Sequence, residues 1–113
     1  MAFDAITPTR FGAAELAITP LLSTIRTTPA LTLDLLKDFD IANNGTGTAF
    51  VSVYLVPAGG SPDSSNLLIP GVRLPPASVF QWSGTQVLDA GATIQAKSTL
   101  ANVTMTASGG NAA

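Results

Sequence analysis

Apolar and polar residues alternate with a period of two along much of the chain, most clearly from Ala30 to Pro57. Leu31, Leu33, Leu35, Phe39 and Ile41 fall on one face of an extended chain. Thr32, Asp34, Asp38 and Asp40 fall on the other, the pattern of a half-buried strand. Leu36 and Lys37 break the alternation side by side, which marks a β-bulge or a second contact surface. Asn43-Asn44-Gly45-Thr46-Gly47 supplies residues that tolerate positive φ, as a reversing chain needs. The strand that follows, Ala49 to Val56, is apolar on both faces apart from Ser52, so it is expected to be central or covered on both sides.

The same reading extends outward from this pair. Residues 1–14 lack sustained periodicity but carry Phe3, Ile6 and Phe11, which predicts an extended arm that docks on its own domain or on a neighbour. A first short strand is the other reading of this segment. Glu15–Thr19 and Leu22–Thr28 are β-branched strand segments, the second stopped by Pro29. Ala58 to Asn66 is a loop, and Asp63-Ser64 suits the start of a short helix. Val72–Leu74 is a brief strand after the Pro70-Gly71 turn. Ala77–Ser83 places Val79 and Gln81 on one face and Phe80 and Trp82 on the other, one face for the core and one for a partner. Val87–Gly91 is a short strand running into a turn. The last two strands alternate cleanly, with Ala92, Ile94 and Ala96, then Val103, Met105 and Ala107, directed inward. The expected fold is therefore all-β, a single antiparallel β-sandwich or jelly roll over residues 15–108. An N-terminal arm (1–14) precedes it and a flexible tail (109–113) follows. An arm of that kind is separable, so its removal is expected to leave a folded domain that no longer binds its partner.

Composition narrows the function. Charged residues make up 11% of the 113, against about 25% in an ordinary soluble domain. Either partner subunits cover much of the surface, or that surface is a neutral, Ser/Thr-rich one. The net charge is −2 and the five basic residues are scattered, which excludes a basic patch for nucleic acid or anionic lipid. Met1-Ala2-Phe3-Asp4 has no signal-peptide pattern, and no apolar run is long enough to span a bilayer, so neither secretion nor a membrane partner is expected.

The chain contains neither cysteine nor histidine, which removes disulfides, thiolate ligands and the commonest general base. Any nucleophilic serine would have to pair with Lys37 or Lys97, and no G-x-S-x-G elbow is present, so no enzymatic role and no catalytic residue is assigned. Asp34, Asp38 and Asp40 on one strand face read as a solvated outer surface, or less favourably as a calcium site. Same-face neighbours lie about 6.5–7 Å apart, too far for adjacent members to share one ion unaided. No metal or cofactor is therefore expected. The glycines of Gly45-Thr46-Gly47 and Gly59-Gly60 are turns rather than phosphate cradles. Asn44-Gly45-Thr46 and Asn102-Val103-Thr104 match the glycosylation acceptor pattern by chance. Tyr54 and Trp82 suit a sugar platform or, more commonly for a lone tryptophan, a core or interface.

Three segments carry a resemblance. Lys37-Asp38-Phe39-Asp40-Ile41-Ala42-Asn43, Val51 to Ser61 with the following Asn66-Leu67-Leu68, and Leu88 to Lys97 resemble small structural proteins of tailed bacteriophages. The likeness covers residues 20–108 and rests on framework positions. Ala92 departs from it, standing where an acidic residue is frequent after the glycine. Such proteins resemble capsid cement (decoration) proteins, jelly rolls that assemble as dimers or trimers on the head and staple neighbouring major capsid proteins. The resemblance implies a virion protein on the capsid surface, made in the host cytoplasm. Its partners would be the major capsid protein and further copies of itself, as a homodimer or homotrimer. Phe3, Ile6 and Phe11 on the arm and Trp82 on the sheet are the candidate contact residues. A receptor- or carbohydrate-binding sandwich on a fibre or tail is the alternative.

Overall fold

The computed structural model describes residues 6–112. Nine strands follow one another: β1 Ile6–Glu15, β2 Ala17–Ile18, β3 Ser23–Thr27, β4 Leu33–Asn43, β5 Ala49–Val56, β6 Leu67–Leu74, β7 Val79–Leu88, β8 Thr93–Ser98 and β9 Val103–Ala112. The only helical element among the described residues is a 3₁₀ turn at Ser64–Asn66. Asp63 caps it and Asn66 bonds back to the cap backbone. The strands pack as two sheets, β1-β9-β4-β7 and β2-β8-β5-β6, with β3 also paired to β8. Apart from a two-residue parallel contact between β2 and β8, every pairing is antiparallel. This two-sheet order is that of a jelly roll.

β4 and β5 are not a hairpin. They lie in opposite sheets, and residues 44–48 turn a corner between them. Neither Gly45 nor Gly47 uses a positive φ; Asn43 makes the corner instead. Its buried side chain donates to the carbonyls of Gly47 (2.8 Å) and Leu74 (2.9 Å) and accepts from the Gly45 amide (2.9 Å). One amide thus ties the end of β4 to the end of β6. Asn43→Ala is expected to cost about 3 kcal/mol, because it strands buried carbonyls, whereas Asn44→Ala should change little. Urea melts of the two variants check the difference.

The core lies between the sheets. Phe39, Ile41, Val51, Val53, Ile94, Ala96, Val103, Met105 and Ala107 are fully buried, as the alternation of β5, β8 and β9 requires. β5 runs centrally in its sheet, between β8 and β6, but among the described residues only its inner face is covered; Phe50 points outward and is exposed.

Both expected terminal segments differ from the structure. From Ile6 onward the expected arm is the edge strand β1, registered on β9 from Ile6↔Ala112 to Glu15↔Thr104. A bulge between Arg10 and Gly12 turns Phe11 into the core. The expected tail continues β9 to Ala112, held between β1 and β4. Gly109 permits this, since a Cβ there would collide with the Leu35 carbonyl. β7 is likewise one strand where two were expected, kinked at Gly84-Thr85 opposite the Lys37 bulge of β4.

Candidate interaction surface

The bulge predicted at Leu36-Lys37 is present, and its effect on phase decides where the acidic residues go. After it, Phe39 and Ile41 point inward as expected. Before it, the inward positions are Asp34 and Leu36, so Leu33 and Leu35 face out. Asp34 is thus not on the outer acidic face but 0% exposed between the sheets. Arg26 of β3 grips it with Nε to Oδ2 at 2.7 Å and Nη2 to Oδ1 at 3.0 Å. Thr28 Oγ1 (3.0 Å) and Asn111 Nδ2 (2.9 Å) complete its shell. Burial alone would raise the carboxyl pKa. The hydrogen bonds from Arg26, Asn111 and Thr28, with the guanidinium charge, outweigh that and hold it below the usual carboxylate range. Arg26 also lies 4.9 Å over the ring of Phe11, so the cluster joins β1, β3, β4 and β9. It is a clamp between sheets.

With Asp34 inside, only Asp38 and Asp40 remain on the outer face of β4. They border a shallow hollow of about 360 Å³ with Gln81, Trp82 and Ser83. Asp38 accepts from Ser108 at 2.7 Å, and Lys37 donates to Thr85 at 2.8 Å. Among the described residues no three of His, Cys, Asp or Glu gather in a group able to hold a metal ion.

The four residues expected to make contacts are not brought together. Phe3 lies outside the described residues. Phe11 is 5% exposed and belongs to the core, because the β1 bulge turns it inward; it is withdrawn as a contact residue. Ile6 is 56% exposed on the outer face of β1. Trp82 is at the opposite edge of the same sheet, about 14 Å away across three strand spacings and about 20 Å further along the strands, since Ile6 lies level with Leu33 and Trp82 with Phe39. Its indole faces the interior side and stacks on Phe39, with centroids 5.2 Å apart and planes 12° from parallel. Tyr54 belongs to the other sheet, with Lys97 over its ring at 5.8 Å, so the two aromatics share no sugar platform.

What the surface does offer is apolar. Ile6, Leu33, Leu35 and Val87 form a band across the outer face of the β1-β9-β4-β7 sheet, with Ile6 and Leu33 flanking Ala112 and Leu35 paired to Val87. Val87 is 59% exposed, and Leu31, at φ 63° in the turn leading into β4, is more exposed still. The alternation hid this band by assigning Leu31, Leu33 and Leu35 to the core.

The sandwich is closed on one flank, where β1 packs against β3 so tightly that a Cβ at Gly12 would come within 2.6 Å of the Ile25 carbonyl. The other flank, between β6 and β7, is open and holds a cleft of about 710 Å³. Leu55, Leu68, Val87 and Leu88 supply its apolar walls, with Ser65, Asn66 and Asp89 at its polar margin. The capped turn fixes that margin, and the Ser65 side chain and amide, both donating to Asp63, lower its carboxyl pKa.

No family model matches the chain, and no curated protein sequence matches it. Solved structures do. A chain of the T13 infectious bursal disease virus particle aligns over 96% of this chain with a TM-score of 0.50 at 8% identity. A chain from the Gt strain of that virus aligns with a TM-score of 0.45, also at 8% identity, over 96% of this chain and 32% of its own. This chain spans 30% of the length of the first. At such identity the first likeness establishes a shared β-sandwich fold.

Proposed function

We propose that this protein is a structural virion component of the cement or decoration type. It binds the outside of a phage head and staples neighbouring major capsid proteins. The observation that carries the reading is the uncharged band of exposed Ile6 and Val87 and half-buried Leu33 and Leu35, on a sheet face that the described residues leave uncovered. Exposed contiguous apolar surface on a small domain marks a place for protein contact. The resemblance of residues 20–108 to phage structural proteins supports the same assignment, as does a fold shared with a chain of a viral particle. Phe3, three residues before Ile6 in the sequence, is proposed as a further contact residue. Each contact is modest, and the multiplicity of copies on a symmetric shell makes attachment firm.

The test is binding of purified protein to heads that lack it. Ile6→Asp combined with Val87→Asp places two charges in the band at sites already largely in solvent, so the melt should move little. Head binding should fall by about tenfold or more. Unchanged binding by the double variant would remove this face from the contact.

A further inference from the structure

The proposed head contact uses a sheet face; β7 offers a sheet edge, and the two are independent. Among the described residues β7 pairs only with β4, and its other side is free. Free edges are ordinarily guarded by charge, proline, bulges or covering chain. The other long edges here are guarded. β1 carries Pro8, Arg10, Glu15 and a bulge and lies against β3. β6 carries Pro70, Arg73 and Gly71 at φ 69°. β7 has ten residues, VFQWSGTQVL, with neither charge nor proline, and its kink at Gly84-Thr85 lies beyond Ser83, leaving Val79–Ser83 in regular register and unguarded.

Its bonding parity can be followed from its start. Asn43 donates to the Ser78 carbonyl at 3.0 Å. The alternation of an antiparallel ladder carries that inward bonding to Phe80 and Trp82, opposite Ile41 and Phe39. The amides and carbonyls of Val79, Gln81 and Ser83 therefore point to the free side.

We infer that β7 is the seam of a two-fold dimer, in which a second copy of this chain adds its own β7 antiparallel, centred on Gln81. Three observations select a second copy as the occupant. The register is self-complementary: Gln81 bonds Gln81 of the other copy and Val79 bonds Ser83, giving about six backbone hydrogen bonds. Centring on Gln81 also sets Phe80 opposite Trp82 of the other copy as a narrow, non-bonded pair. Each half-buried ring on the open flank is then covered by the other. Charge agrees as well. The strand itself has none, and the nearest carboxylates, Asp38 and Asp40, sit one strand back. Across the seam the two Asp40 side chains stand three strand spacings apart, about 14 Å, beyond the Debye length at physiological salt. The two four-stranded sheets become one of eight.

Gln81→Pro tests the pairing. Its amide points away from β4, so proline there breaks no bond within the protomer, and edge strands accept proline on that side. Sedimentation of the full-length protein over a dilution series should give a monomer–dimer equilibrium. Gln81→Pro should shift it at least about tenfold towards monomer, while Gln81→Ala, which keeps the amide, shifts it far less. In the wild-type protein the Val79, Gln81 and Ser83 amides should exchange hydrogen more slowly as concentration rises, whether or not the variant folds well. A wild-type monomer throughout, a trimer, or free exchange of those three amides at high concentration would each overturn the seam.

Discussion

A chain cut after residue 14 is expected not to fold. The removed segment contains nearly all of β1, which lies along β9 over its whole length and contributes Phe11 to the core. Deleting a buried phenylalanine side chain alone costs about 3–5 kcal/mol, and the total stability of a small domain is about 5–15 kcal/mol. The cut also removes the cation–π contact of Arg26 and leaves β9 as an open edge of small residues. Phe11→Ala, which keeps the strand, should fold but melt at markedly lower urea. Circular dichroism on heating separates the cases: no cooperative transition for the truncated chain and a lowered one for Phe11→Ala. A truncated chain that melts like the full one would mean that β1 is an accessory, as the arm reading of residues 1–14 expected.

Asp34→Ala should be the most damaging single substitution of an acidic residue, at about 3–5 kcal/mol, because it leaves Arg26 without its counter-ion between the sheets. Asp38→Ala, on the outer face, should stay within about 0.5 kcal/mol. The pH dependence has a definite sign. A carboxyl held below its usual pKa by the fold contributes stability that is complete above the unfolded value. That stability drains away as pH falls through the lower, folded value. The wild-type melting temperature should therefore drop in acid below about pH 4. Asp34→Asn, which keeps the shape and loses the charge, should start lower and drop less over the same window. Equal acid sensitivity of the two proteins would place the titrating group elsewhere.

These two effects also show what the sequence made legible. Strand periodicity located β4, β5, β8 and β9 and the inward residues of the last two, because a period of two is fixed by backbone geometry. The bulge at Leu36-Lys37 was visible too, but its consequence needed one more step. If Leu36 points inward, so must Asp34, and Leu33 and Leu35 must face out. Leucine at 33 and 35 concealed that phase change, and the aspartate's partners sit 8 and 77 residues away. No local pattern encodes such distances. Pairing across sheets was equally hidden, since a turn of Asn and Gly looks the same in a hairpin and in a corner between layers. Phe11 was misplaced for a related reason, because a one-residue bulge in β1 decides whether its ring points in or out. The β7 edge was readable as the uncharged stretch between Pro76 and Asp89, yet its position as an edge follows only from the strand order.

Whether this protein travels with the head of a virus is the central question. A lysate of producing cells, sedimented through a density gradient and probed for this chain, answers it most directly. The cement reading expects the chain in the head fractions, tailless heads included, in many copies per particle. Its confinement to tails or complete virions, in a few copies each, would contradict that reading and identify the sandwich as a fibre or receptor module.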